Sequence, residues 1–159
     1  AHGAHIGGFV AGLGLAVGER HLSRRQPVAG EGKEEVRAYG AAQVARSLQA
    51  GNTGQATLRY LALAEEERQR VASADLLTIG EYLLDRRDYY GALSLFRHFI
   101  AERPNDRQLD RAYLGAGIAS THLPRGRAAA AQYLLAAIDV AQSDHLLDEA
   151  RQRLRALEG

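Results

Sequence analysis

The sequence predicts an all-α protein, a truncated transmembrane helix followed by a solenoid of helix pairs with a capping helix at its end. Three observations predict it. From residue 33 onward apolar residues recur at helical spacing, and no alternating run is long enough for a strand. Proline and glycine fall between the periodic stretches, at Pro27, Gly30, Gly32, Pro104 and Pro124, and leave only short joins. Residues 1–18 carry no Asp, Glu, Lys or Arg, whereas the remainder is densely charged. The chain therefore divides into an apolar segment with a basic flank (1–25), a linker (26–32) and a helical domain (33–159).

Composition narrows the function. The 159 residues suffice for one ordinary domain. The absence of methionine leads us to expect a fragment or a processed chain. There is no cysteine, which excludes disulfides and thiolate metal sites. A formal charge of +1 gives no strongly basic surface overall, so nucleic acid is not an expected partner. A signal peptide is not expected either, because the positive charges follow the apolar run instead of preceding it.

The first element is the apolar segment. Ile6 to Val17 is too short to span a bilayer alone, since a span takes roughly 20 residues. The flank of Arg20, Arg24 and Arg25 sets its orientation, because such clusters stay on the cytoplasmic side. The segment is then the inner part of a transmembrane helix that runs from outside to inside. At 1.5 Å per residue, His5 lies about 20 Å from Gly18, which is roughly 10 Å below the outer surface of the hydrocarbon. An imidazole at that depth needs a polar partner or a water-filled cavity, and is a functional-site hypothesis by default. Gly8 and Gly12 follow His5 by three and seven residues, so all three share one helix face. Glycines on that face let a neighbouring helix approach closely, within reach of the histidine.

Gly3-Ala4-His5-Ile6-Gly7-Gly8-Phe9-Val10-Ala11-Gly12 resembles the final transmembrane helix of the rhomboid intramembrane serine proteases. The resemblance covers about residues 1–22. It implies that His5 is the catalytic histidine, and that Gly8 and Gly12 pack against the serine-bearing helix. It also implies a Ser-His dyad without an aspartate, substrates that are transmembrane proteins, contact with membrane lipid, and a place in a bacterial inner (plasma) membrane with the C-terminal domain in the cytoplasm. The family's Gly-x-Ser-Gly nucleophile motif is absent from this chain, so the chain does not catalyse proteolysis alone. Gly12-Leu13-Gly14 with Gly18 faintly matches a dinucleotide fingerprint, but that motif needs a strand–helix–strand unit around it. His2 and His5 lack the further ligands that a metal site requires. No cofactor and no metal is expected.

Beyond the linker, helices are expected at 33–50, 54–71, 74–86, 89–102, 107–121, 126–141 and 144–157. Ser73, Asn105 and Ser143 are suitable N-caps, and Pro104 closes the helix before it. Gly80, Ala92, Phe96 and Pro104 are spaced as in a tetratricopeptide repeat, and residues 73–106 resemble one copy. In that register Leu76 and Ile79 are apolar positions, Gly80 and Ala92 let the two helices pack closely, and Phe96 fills the core. A looser copy follows with Gly115, Ala130, Leu134 and Ala137. A weaker one precedes it with Gly51, Ala56 and Tyr60. Ser143 to Leu157 suits a capping helix.

The resemblance places a ligand groove on the first helix of each repeat, at Ala74, Leu77, Glu81, Leu84 and Asp85, then Leu109, Ala112, Ala116 and Ala119. No cation is among them, so a helix or apolar peptide is the expected protein ligand, not a terminal carboxylate. His98, His122 and His145 are isolated and read as surface or cap residues. Glu65-Glu66-Glu67 reads as a solvated face, and Tyr89-Tyr90 as a pair divided between core and solvent. The expected function is the C-terminal portion of a rhomboid-type endopeptidase with a cytosolic interaction tail. The alternative is an inactive relative, or a membrane-tethered scaffold that binds proteins through its repeats.

Overall fold

The structure, a computed structural model, describes residues 29–159, with side chains from Tyr39 onward. The expected membrane helix, with His5, Gly8 and Gly12, lies outside the described residues. The described residues are all-helical and contain no strand: α1 (Ala29–Gln49), α2 (Thr53–Ala62), α3 (Glu65–Arg68), α4 (Ser73–Asp85), α5 (Tyr89–Glu102), α6 (Leu109–Thr121), α7 (Arg127–Val140) and α8 (Asp144–Glu158). No described helix is long and apolar enough to cross a membrane.

Helices α1 and α2, α4 and α5, and α6 and α7 pack as three hairpins, and α8 lies against α7. The first and second hairpins meet through α2 and α4, the second and third through α5 and α6; α4 also touches α6, and α6 touches α8. The first two hairpins turn in the same way. The Asn52 N–H donates to the Ser47 carbonyl and the Gly51 N–H to Leu48; the Asp88 N–H donates to Leu83 and the Arg87 N–H to Leu84, all at 2.9 Å. These paired bonds satisfy the last carbonyls of α1 and α4, and they require a left-handed residue in the middle. Gly51 supplies it in the first hairpin (φ +73°), Arg87 in the second (φ +60°), and Arg125 takes φ +58° in the third.

One boundary differs from expectation because a side chain competes for the backbone. The helix expected over 54–71 breaks at Leu63 and Ala64, both extended. The Glu67 carboxylate accepts from the Ala64 N–H at 3.0 Å and so starts α3, and the Arg68 guanidinium donates to the Leu61 carbonyl. Glu65, Glu66 and Glu67 thus form the first turn of a new helix, where negative charge is favoured. At the other boundary α1 begins at Ala29, inside the expected linker. Gly30 and Gly32 each weaken a helix by about 1 kcal/mol without ending it.

Two of the three expected N-caps do not cap, and α4 and α6 start without a side-chain cap. Ser143 caps α8, its hydroxyl accepting from the Leu146 N–H. Ser73 does not cap α4; its hydroxyl donates to Asp106 and accepts from the Arg103 guanidinium at 2.6 Å. Asn105 precedes α6 by several residues, and Asp106 instead accepts from the Gln108 N–H at 2.8 Å. The cap that the sequence reading overlooked is Asp88, which accepts from the Gly91 N–H at 2.9 Å.

The core runs through the first three helical layers and ends in a smaller cluster under α8. Val44, Tyr60, Leu76, Leu77, Ile79, Phe96 and Phe99 anchor the larger part, and Leu114, Leu134, Ala137, Leu146 and Ala150 the smaller. Phe96 is 1% exposed. Its ring lies so close to Gly80 and Gly115 that a Cβ on either glycine would approach it to 2.5 Å or less. One aromatic therefore fixes the spacing of α4, α5 and α6, and both glycines are needed for it.

Candidate functional site

A groove of about 370 Å³ opens where α4, α6 and α8 converge. Glu81 and Leu84 form the α4 wall, Arg111, Leu114 and Ile118 the α6 wall, and His145, Leu146 and Glu149 the α8 wall; Phe96 and Gly115 contribute to its floor. The close glycine packing described above sets the distance between the walls. The rim is polar: Arg111 pairs with Glu81 across the groove at 2.5 Å, with both side chains partly in solvent. An ion pair so exposed contributes at most about 1 kcal/mol to the fold. Both groups are free to exchange this contact for a ligand's.

The structure does not keep the sequence-predicted groove residues together. Glu81 and Leu84 line the groove. Leu77, Ala112, Ala116 and Ala119 are fully buried in the core, so they cannot touch a ligand. Asp85 is exposed at the end of α4, away from the groove lining. The expected groove positions hold no cation, but Arg111, which is not among them, brings one to the rim. The buried Asp110 holds the start of α6 in place by accepting from the Arg111 N–H at 2.8 Å and from the Gln142 N–H at 2.9 Å. The wall from α8 was missed because the segment reads as a cap, yet its Leu146 and Glu149 face α6.

Of the repeat-signature residues, Gly80, Ala92 and Phe96 are buried together, while Pro104 is exposed in the loop after α5. Beside that loop Arg103 donates to the carbonyls of Val71 (2.6 Å) and Gln69 (3.1 Å), and its guanidinium lies over the Phe99 ring. Burial works against a charged Asp106, but the Ser73 hydroxyl, the Gln108 N–H and the nearby Arg103 outweigh it and hold the carboxyl below its ordinary value.

A second hollow of about 290 Å³ lies between α2, α3 and α5, where Glu65 pairs with Arg68 and faces His98 at 3.5 Å. Burial pushes the Tyr60 hydroxyl there upward, against the pull of Arg68. His122 ends α6 and stacks on Tyr89, with ring centroids 4.3 Å apart. Among the described residues no group of three or more His, Cys, Asp or Glu could hold a metal ion. Comparison with protein-family models, curated proteins and solved structures finds no match to this chain.

Proposed function

We propose that the chain is the C-terminal portion of a rhomboid-type intramembrane serine endopeptidase, with a tetratricopeptide-like interaction tail on the cytoplasmic side. The observation that carries the reading is the pattern Ala4-His5, Gly8, Gly12, followed by Arg20, Arg24 and Arg25. A histidine on the same helix face as two close-packing glycines is what a base needs to reach a serine on a neighbouring helix. In the intact enzyme the imidazole of His5 takes the serine hydroxyl proton as the serine attacks the scissile carbonyl. It then returns that proton to the leaving amine. Water must then reach the dyad: His5 takes a proton from it as it attacks the acyl-serine ester, and returns that proton to the serine oxygen as the acid product leaves.

Three features support a repeat reading of the tail: the recurrent left-handed turns, the successive hairpins, and the seating of Phe96 between Gly80 and Gly115. Its α4–α6–α8 groove, with apolar walls and a Glu81–Arg111 rim, suits an amphipathic helix or a short peptide. That groove also favours a second reading, a membrane-tethered scaffold without proteolytic activity. Treating the intact protein with a serine-reactive phosphonate separates the two. The protease reading expects modification of one serine in a Gly-x-Ser-Gly motif on an earlier helix, dependent on His5. A protein with no such serine is the scaffold.

A further inference from the structure

The hairpin turns gather four arginines at one end of the molecule, and local physics accounts for only one of them. The stack of Tyr89 on His122 brings the α4–α5 turn against the α6–α7 turn. Tyr82 packs against Gly54, so the α1–α2 turn lies at the same end. Arg86, Arg87, Arg125 and Arg127 are all exposed there. Arg86 sits at the C-terminus of α4, where a cation is favoured by the helix dipole. The other three stand where another residue would be more stable. Arg87 and Arg125 occupy left-handed positions that glycine takes without strain, as Gly51 does in the first turn. Arg127 opens α7, where the dipole repels a positive charge. Backbone strain and misplaced charge of this kind persist where function holds them.

We propose that this end is a docking surface for an anionic lipid bilayer. Exposed arginines supply the attraction to acidic headgroups. Tyr90, 69% exposed in the first turn of α5, adds an amphipathic ring of the type found at membrane interfaces. Asp85 and Asp88 lie at the same end and temper the charge, leaving the four arginines in excess. The far end interleaves Glu65, Glu66, Glu67 and Glu102 with Arg68, Arg70, Arg103 and Arg107. Orientation is set instead by Arg87, Arg125 and Arg127, unpaired among the described residues, beside the exposed Tyr90. Choosing a bilayer over another polyanion rests on the membrane reading of residues 1–25; the arginine placement does not. Reach permits it. Residues 19–28 extend at most about 33–36 Å, and the 21 residues of α1 measure about 32 Å.

The absence of cysteine lets one label be placed at a time. The full chain carries Ala128→Cys beside Arg127, or Ala101→Cys at the far end, each with a polarity-sensitive fluorophore. Vesicles of phosphatidylglycerol and phosphatidylcholine are compared with pure phosphatidylcholine. The label at 128 is expected to blue-shift on the anionic vesicles only, and to lose the response in high salt. The label at 101 is expected to stay unchanged. Replacing Arg86, Arg87, Arg125 and Arg127 by Gln, with helicity checked by circular dichroism, is expected to weaken that response about tenfold or more. Arg97→Gln, on the same helix as Tyr90 but away from the turns, is expected to leave it intact. Equal responses at 128 and 101, an unchanged response in the four-fold variant, or tighter binding of a single-stranded oligonucleotide to the same arginines would overturn the proposal. Residual association of the four-fold variant with pure phosphatidylcholine reads residues 1–25 separately, so failure of the docking surface and failure of the membrane anchor are distinguishable.

Discussion

At Phe96 the ring is held between Gly80 and Gly115, so the residue can be neither shortened nor crowded without loss. Phe96→Ala is expected to destabilise the helical domain by about 3–5 kcal/mol, as for other buried aromatics. Gly115→Ala drives a methyl into the ring and is expected to cost about 1–3 kcal/mol, through overpacking instead of a cavity. Thermal or urea unfolding followed by circular dichroism checks both, and a variant that melts like the parent would mean that the ring does not bridge the hairpins. Arg87→Gly has the opposite sign. Relief of the left-handed strain, less glycine's greater freedom when unfolded, is expected to add about 0.5–1 kcal/mol to stability. The same substitution removes one of the four arginines proposed to face lipid, so stability rises while vesicle binding falls.

Between elements, a polar latch ties the connection before α4 to the connection after α5. Arg103 reaches back to Ser73 and to the Gln69 and Val71 carbonyls, and Ser73 in turn holds Asp106. Asp106 is held below its ordinary value of 3.8, so it binds a proton less readily folded than unfolded. Its contribution is fully present above pH 3.8 and is lost as the pH falls through the folded value. Asp106→Asn is therefore expected to be less stable than the parent at neutral pH, with the gap closing below about pH 4; a gap independent of pH would assign the effect to shape. This latch was not legible in the sequence, because Ser73 reads equally well as a helix cap. The helical class and most helix positions were legible, since apolar periodicity reports directly which face is buried. The break at Leu63–Ala64 was hidden because it depends on a single carboxylate, Glu67, turning back onto the backbone. The groove was half legible: Glu81 and Leu84 follow from their helix face, whereas Arg111 and the α8 wall depend on how three helices converge.

At the scale of the whole molecule, a compact helical module lies directly after an apolar segment whose histidine and glycines carry the functional reading. The arginines that follow that segment predict that the module is cytoplasmic. A reporter fused after Gly159 should be active only in the cytosol, and export-dependent activity would reverse the orientation. Close helix contact at Gly8 makes a second demand, because branched bulk there would push the serine-bearing helix away from His5. Gly8→Val is accordingly expected to lose activity while still inserting into the membrane. The most direct test of the central claim is the cleavage of a model transmembrane substrate by the intact protein in detergent, comparing the parent with His5→Ala. The account predicts that the variant inserts normally and cleaves nothing; cleavage at the parental rate would contradict it.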